Sequence, residues 1–161
     1  MKVAIVGNRI GWECNNVLAY IYEKLKNMGF DYDCDEIVSG GAVGVDSFAQ
    51  EFARLYGIKM VIMYPTGAMP SPEKYHDRNR RIVNYSDAVI AFQNKNSGGT
   101  QFTINYAKKK GKTVIIIHGA WNLDCSRQTL HDFKNMDNKT KCKLCGKTVG
   151  EVKNAAAKEM M

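Results

Sequence analysis

The sequence predicts an α/β fold: a three-layer α/β/α sandwich around a five-stranded parallel sheet, followed by a small C-terminal extension. Three observations predict it. Short apolar runs alternate with segments patterned as helices. Those runs are continuously apolar rather than alternating, which marks strands covered on both faces. Two glycine turns, Ser39-Gly40-Gly41-Ala42-Val43-Gly44-Val45-Asp46 and Ser97-Gly98-Gly99-Thr100, each join a strand-like run to a helix-like run.

Taken in order, Lys2 to Gly7 reads as a buried strand. After Asn8-Arg9-Ile10-Gly11 comes an amphipathic helix from about Cys14 to Met28, with Val17, Leu18, Ile21, Tyr22 and Leu25 on one stripe. Glu36 to Ser39 is a short second strand. Val43 to Tyr56 reads as a helix with Val45, Phe48, Ala49 and Phe52 facing inward, and Gly57 resets the chain for a third strand, Ile58 to Met63. All three prolines fall between Tyr64 and Pro72, which makes that stretch a loop before a helix over about Glu73 to Asn84. Asp87 to Gln93 is the fourth strand, Thr100 to Lys110 a helix, and Lys112 to His118 a fifth, β-branched strand.

A chain of 161 residues, 45% hydrophobic, can bury one core. Residues 1–119 form the expected main domain and 120–161 a Lys-rich extension. The N-terminus runs from Met1-Lys2 directly into a strand, without the pattern of a signal peptide, and no apolar run approaches the roughly 20 residues that cross a bilayer. The expectation is a cytoplasmic protein that does not enter membranes. Five cysteines in such a chain point to thiols or metal ligands rather than a disulfide framework. The net charge of +7 suits an anionic ligand, although it is spread between body and tail rather than concentrated.

In parallel α/β sheets the ligand lies beyond the carboxyl ends of the strands. Each distinctive polar cluster here falls at such an end: Gly7, Asn8 and Arg9 after the first strand, the Gly40 turn after the second, the proline loop after the third and the Gly98 turn after the fourth. A helix start offers unpaired N–H donors and the positive end of a dipole, and glycine lets an anion come close. The expected site therefore comprises Gly7, Asn8, Arg9, Ser39, Gly40, Gly41, Ala42, Gly44, Asp46, Gly98, Gly99 and Thr100. Arg78 and Arg81 can share a helix face, with Asp77 and Asn79 adjacent, and a guanidinium binds phosphate by two parallel hydrogen bonds. His76 is a further contact or proton donor, with a solvated position as its alternative; Tyr64 and Tyr75 offer rings to a base, with packing as theirs.

The ordered combination of Ser39-Gly-Gly-Ala-Val-Gly-Val-Asp46, then Arg78-Asn79, then Gly98-Gly99-Thr100 resembles the SLOG superfamily of Rossmann-like nucleotide-binding proteins over roughly residues 2 to 118. That superfamily includes the Lonely Guy phosphoribohydrolases and the DNA-processing protein A family. The resemblance implies a nucleotide-type ligand, Arg78 and Asn79 at that ligand, a phosphate on Gly98 to Thr100, and a homodimer paired through sheet-flanking helices. Phosphoribohydrolases of this type carry Gly-Gly-x-Gly-Thr-x-x-Glu. Here Thr103 stands where that glutamate would be, and a threonine cannot carry its charge. The likeness to DNA-processing protein A lies in Ser39 to Asp46 followed by Ala49 and Ala53, with Gln50 where that family usually has histidine.

The first expectation is thus a sensor or carrier that binds a nucleoside phosphate or an ADP-ribose-like molecule, with no cofactor required. The second is an N-glycosidase acting on nucleoside monophosphates, with Arg78, Asp46 and Asp77 as the catalytic candidates and Glu13 and Glu73 as other acids. The third is single-stranded nucleic-acid binding, which needs a basic groove with stacking aromatics. In the tail, Cys142-Lys-Leu-Cys145 has the look of a zinc knuckle, and Cys125 and His131 would complete a tetrahedral structural zinc site; reduced thiols are the alternative.

Overall fold

Five strands and four helices alternate along the chain in the computed structural model, which describes residues 1–9, 12–67, 69, 71–94 and 97–118. They are β1 (Lys2–Gly7), α1 (Cys14–Asn27), β2 (Glu36–Ser39), α2 (Val45–Tyr56), β3 (Lys59–Ile62), α3 (Pro72–Tyr85), β4 (Ala88–Gln93), α4 (Gly98–Lys109) and β5 (Thr113–His118). All strand pairs are parallel, in the order β3-β2-β1-β4-β5. This is the Rossmann-like three-layer sandwich that the continuous apolar runs predict. The zinc candidates Cys125, His131, Cys142 and Cys145 lie outside the described residues, as does the 120–161 extension.

Alternate residues of each strand point to opposite sides of the sheet, and both sides are apolar. Val3, Ile5, Ile37, Ile90 and Phe92 pack with Val17, Leu18, Ile21 and Leu25 of α1 and with Ala49 and Phe52 of α2. Ala4, Val6, Val38, Val89 and Ala91 face α3 and α4, meeting Ile82, Val83, Ile104 and Ala107. Phe92 is fully buried and takes the edge of Trp12 at 5.2 Å and of Tyr20 at 6.2 Å, so both aromatics serve packing. Truncating such a ring to alanine costs about 3–5 kcal/mol.

Two helix starts differ from the pattern-based reading, each for a local reason. α2 begins at Val45 rather than Val43, because Gly44 adopts φ 88°, ψ −132°, a conformation no helix continues through. Val43 is left exposed. α4 begins at Gly98 rather than Thr100, because Ser97 is its N-cap and accepts the Thr100 N–H at 3.2 Å. Both glycines therefore belong to the first turn of the helix, with their N–H groups among its unpaired donors. α3 starts with Pro72 behind Ser71, whose Oγ accepts the Lys74 N–H at 3.4 Å.

The chain winds outward through β1, β2 and β3, then crosses back to lay β4 and β5 on the other side of β1. The connections after β1 and β4 therefore diverge, leaving a crevice above the register pair Gly7 and Phe92.

Candidate functional site

α3 supplies one wall of that crevice. Tyr75, Arg78, Asn79 and Ile82 follow the i, i+3, i+4, i+7 spacing of a single helix face, and all four line a cavity of about 410 Å³. Arg81 does not share that face: its Nε donates to Asp77 Oδ2 at 3.3 Å and its Nη2 to the Tyr64 carbonyl at 2.6 Å. Asp77 is exposed and stands outside the cavity lining. Arg80 is also exposed, with its guanidinium 5.3 Å from the Phe102 ring, which His76 stacks on at 4.0 Å.

Arg78 is only 8% exposed. Its Nη1 donates to the Gly40 carbonyl and lies 3.7 Å from Asp46 Oδ2, while its Nε is buried with no hydrogen-bond partner among the described residues. Burial pulls the guanidinium below its ordinary pKa; the Asp46 carboxylate opposes this and the Arg9 charge adds to it. A buried cationic N–H without an acceptor is costly.

The first glycine turn is filled by the protein itself. A Cβ on Gly40 would overlap the Arg78 guanidinium, so this position is glycine to admit an arginine rather than a ligand. A Cβ on Gly41 would come within 2.7 Å of the Tyr64 ring. At Gly44 a Cβ would come within 2.6 Å of the Asn8 carbonyl and 2.5 Å of the Arg9 carbonyl, and the Val45 N–H bonds to that Asn8 carbonyl at 3.3 Å. Asp46 turns back over the loop and accepts the Ala42 N–H at 3.2 Å. Burial raises its carboxyl pKa, with the backbone amide of Ala42 and the Arg78 guanidinium opposing. The Ser39 hydroxyl is committed to the Ile5 carbonyl at 2.7 Å. Ser39, Gly40, Gly41 and Gly44 accordingly do not line the cavity, whereas Ala42 and Asp46 do.

The second turn is open. A Cβ on Gly98 or Gly99 would meet nothing within 4 Å, and among the described residues no hydrogen bond engages either N–H. The carbonyl of Gly99 is held from two sides, by the Thr103 hydroxyl at 2.9 Å and by Asn79 Nδ2 at 3.4 Å. Asn8 ties this turn to β1, its Oδ1 accepting the Asn94 N–H at 3.1 Å and the Thr100 hydroxyl at 3.5 Å. Gly7, Asn8, Arg9, Gly99 and Thr100 line the cavity; Gly98 is not among the lining residues. Arg9 also lies over Tyr75, 5.4 Å from the ring centre.

The pattern-based reading leaves out Val6, Pro72, Ile82, Ser97 and Thr103 as wall residues. Signals for two of them were present: the N-cap spacing from Ser97 to Thr100 marks Ser97, and the α3 face on which it follows Arg78 marks Ile82. Asp46 is the only carboxylate lining the cavity among the described residues, since Glu13, Glu73 and Asp77 do not. No group of three or more His, Cys, Asp and Glu side chains able to hold a metal occurs among the described residues. No helix among them is long and apolar enough to cross a membrane.

Comparison with known proteins agrees with this architecture. The chain is similar to DNA processing protein A from Helicobacter pylori, a structure described for its single-stranded DNA binding mode. Identity is 20% over 99% of this chain and 81% of that one, with a TM-score of 0.59. DNA processing protein A from Streptococcus pneumoniae gives 22% identity over 96% of this chain and 60% of that one, with a TM-score of 0.62. A molybdenum cofactor carrier protein from Chlamydomonas reinhardtii gives 17% identity over 99% and 96%, with a TM-score of 0.53. At these identities the structural likeness speaks to the fold. No curated protein matches the sequence significantly. The model of the DNA recombination-mediator protein A family matches residues 57–143, more than half the chain. On that match, and with the glycine turns and fold of the SLOG superfamily around it, the chain belongs to the DNA recombination-mediator protein A family.

Proposed function

We propose that the crevice between β1 and β4 binds the phosphate of a nucleotide unit. The single observation that carries this reading is that the buried Arg78 guanidinium, whose Nε has no hydrogen-bond partner among the described residues, shares one cavity with the open first turn of α4. The two supply complementary chemistry: a cation freed from water, and N–H donors at the positive end of a helix dipole. The cavity of about 410 Å³ is of the size that small-molecule sites have. Asn79 and Thr103 hold the Gly99 carbonyl and Asn8 holds the Thr100 hydroxyl, so the start of α4 is anchored to α3 and to β1 before a ligand arrives. In this reading the protein is a binder: Thr103 is engaged with Gly99, and Asp46, the one carboxylate lining the cavity among the described residues, is engaged with the Ala42 N–H.

A second reading, in which the nucleotide unit is part of a single strand of DNA, is favoured by family membership and by the single-stranded DNA binding described for the H. pylori protein. The net charge of +7 suits it. Fluorescence titration with thymidine 5′-monophosphate and with a dye-labelled oligothymidylate tests both. Parent protein should bind the mononucleotide, and Gly99→Asp should lose at least tenfold in affinity, because the new carboxylate stands in open space at the phosphate position. Unchanged affinity in Gly99→Asp would contradict the reading. For the strand, log Kd rising steeply with log salt, with a slope of roughly 0.7 per phosphate neutralised, would favour the second reading. The same weak salt dependence for oligomer and mononucleotide would favour the first.

A further inference from the structure

We infer that Asp46 is a built-in anion that closes the first glycine turn to phosphate, so that the site accepts one phosphate group and selects against a second one attached to it. This deepens, and rests on, the reading of the crevice as a phosphate site. The two glycine turns meet the same cavity, Ala42 and Asp46 from one and Gly99 and Thr100 from the other. A ligand whose adjoining phosphates reached both turns would need hydrogen-bond donors at both. At the second turn the N–H groups of Gly98 and Gly99 are unengaged among the described residues, and the buried Arg78 guanidinium, whose Nε has no partner among those residues, lines the same cavity.

At the first turn the functions of a bound anion are already performed by a side chain. The Asp46 carboxylate accepts the Ala42 N–H at 3.2 Å and stands 3.7 Å from Arg78 Nη1. The Gly40 carbonyl takes the same Nη1, and the space a Cβ would occupy at Gly40 is filled by the guanidinium. Asp46 is 5% exposed, and its position in the first turn of α2 uses the dipole that a phosphate would otherwise use. A second phosphate entering here would find a negative charge in place of a donor. It could gain the turn only by displacing Asp46 from its partners there, Ala42 and Arg78 among them.

General electrostatics predicts the opposite preference. On a protein of net charge +7, a ligand of higher negative charge should bind more tightly if no local group intervenes. A preference for fewer phosphates is therefore a signature of Asp46 and not of overall charge.

Isothermal titration of the full chain with thymidine 5′-mono-, di- and triphosphate, without metal, reads this directly. Parent protein should bind the monophosphate at least tenfold more tightly than the triphosphate. Asp46→Asn, which keeps the shape and removes the charge, should bring the two within about threefold. Triphosphate binding as tight as or tighter than monophosphate in the parent would overturn the inference while leaving the phosphate site standing. No binding of any of the three would overturn both. The parent series needs no variant, so the inference remains falsifiable even if Asp46→Asn fails to fold; a folded Asp46→Asn that keeps the full tenfold preference would also overturn it.

Discussion

The two glycine turns look alike in the sequence and do different work in the fold. Around Gly40, Gly41 and Gly44, the space a side chain would take is filled by Arg78, by Tyr64 and by the backbone of Asn8 and Arg9. Around Gly98 and Gly99 nothing among the described residues lies within 4 Å of it. The first turn uses glycine so that the protein can pack against itself, and the second so that something else can approach. Glycine content alone therefore does not identify a phosphate site. What fills the missing side chain does.

Substitution separates the two turns most sharply. Gly40→Ala would push Arg78 off its carbonyl and away from Asp46, leaving a buried charge without its partner. We expect a loss of about 3–5 kcal/mol in urea unfolding. The same change at Gly98 meets open space and places a better helix former in the first turn of α4, so stability should hold or rise by no more than about 1 kcal/mol. Equal losses at the two positions would break the comparison.

Gly99→Asp sharpens it from the side of function. A carboxylate in the first turn of a helix is favourable to the dipole, so the fold should be unharmed, within about 0.5 kcal/mol. Binding of a thymidine monophosphate should nevertheless fall at least tenfold. Stability and affinity moving together would mean that this turn, too, is structural.

The smallest expected effect is on pH dependence. Burial holds the Asp46 carboxyl above the ordinary aspartate value of 3.8, so the folded state binds this proton more tightly than the unfolded chain does. Stability contributed at this residue is therefore lost as pH rises from about 3.8 through the raised folded value. Asp46→Asn cannot titrate. The difference in unfolding free energy, parent minus variant, should fall as pH rises through that window and flatten above it; a difference that rises with pH would mean that Arg78 and Ala42 outweigh burial.

Much of the fold was legible before any coordinates. β2 is Glu36–Ser39 as predicted, and of the stripe Val17, Leu18, Ile21, Tyr22 and Leu25 all but Tyr22, which is partly buried, are fully buried, because strand and helix periodicities report burial directly. The carboxyl-end rule also located the crevice, since Asn8, Arg9, Asp46, Arg78 and Thr100 all line one cavity. What periodicity does not carry is the occupant of a gap. Gly40 accommodates a side chain 38 positions away, and no local pattern reveals such a partner. The direction of Asp77 was hidden for a related reason: it lies next to Arg78 in sequence, but adjacent helix positions point to different faces, and Arg81 draws it outward. The start of α4 was misplaced because glycine's low helix propensity was outweighed by the Ser97 cap.

The most direct test of the account is a two-dimensional amide NMR titration of the protein with thymidine 5′-monophosphate. The Gly98, Gly99 and Thr100 amides and the Arg78 Nε–H should shift together with one saturation curve, while the Gly40 and Gly41 amides stay within the spread of the rest of the domain. Saturable shifts at Gly40 to Ala42 with none at Gly98 and Gly99 would contradict it, since the phosphate would then be using the turn that Asp46 is held to occupy.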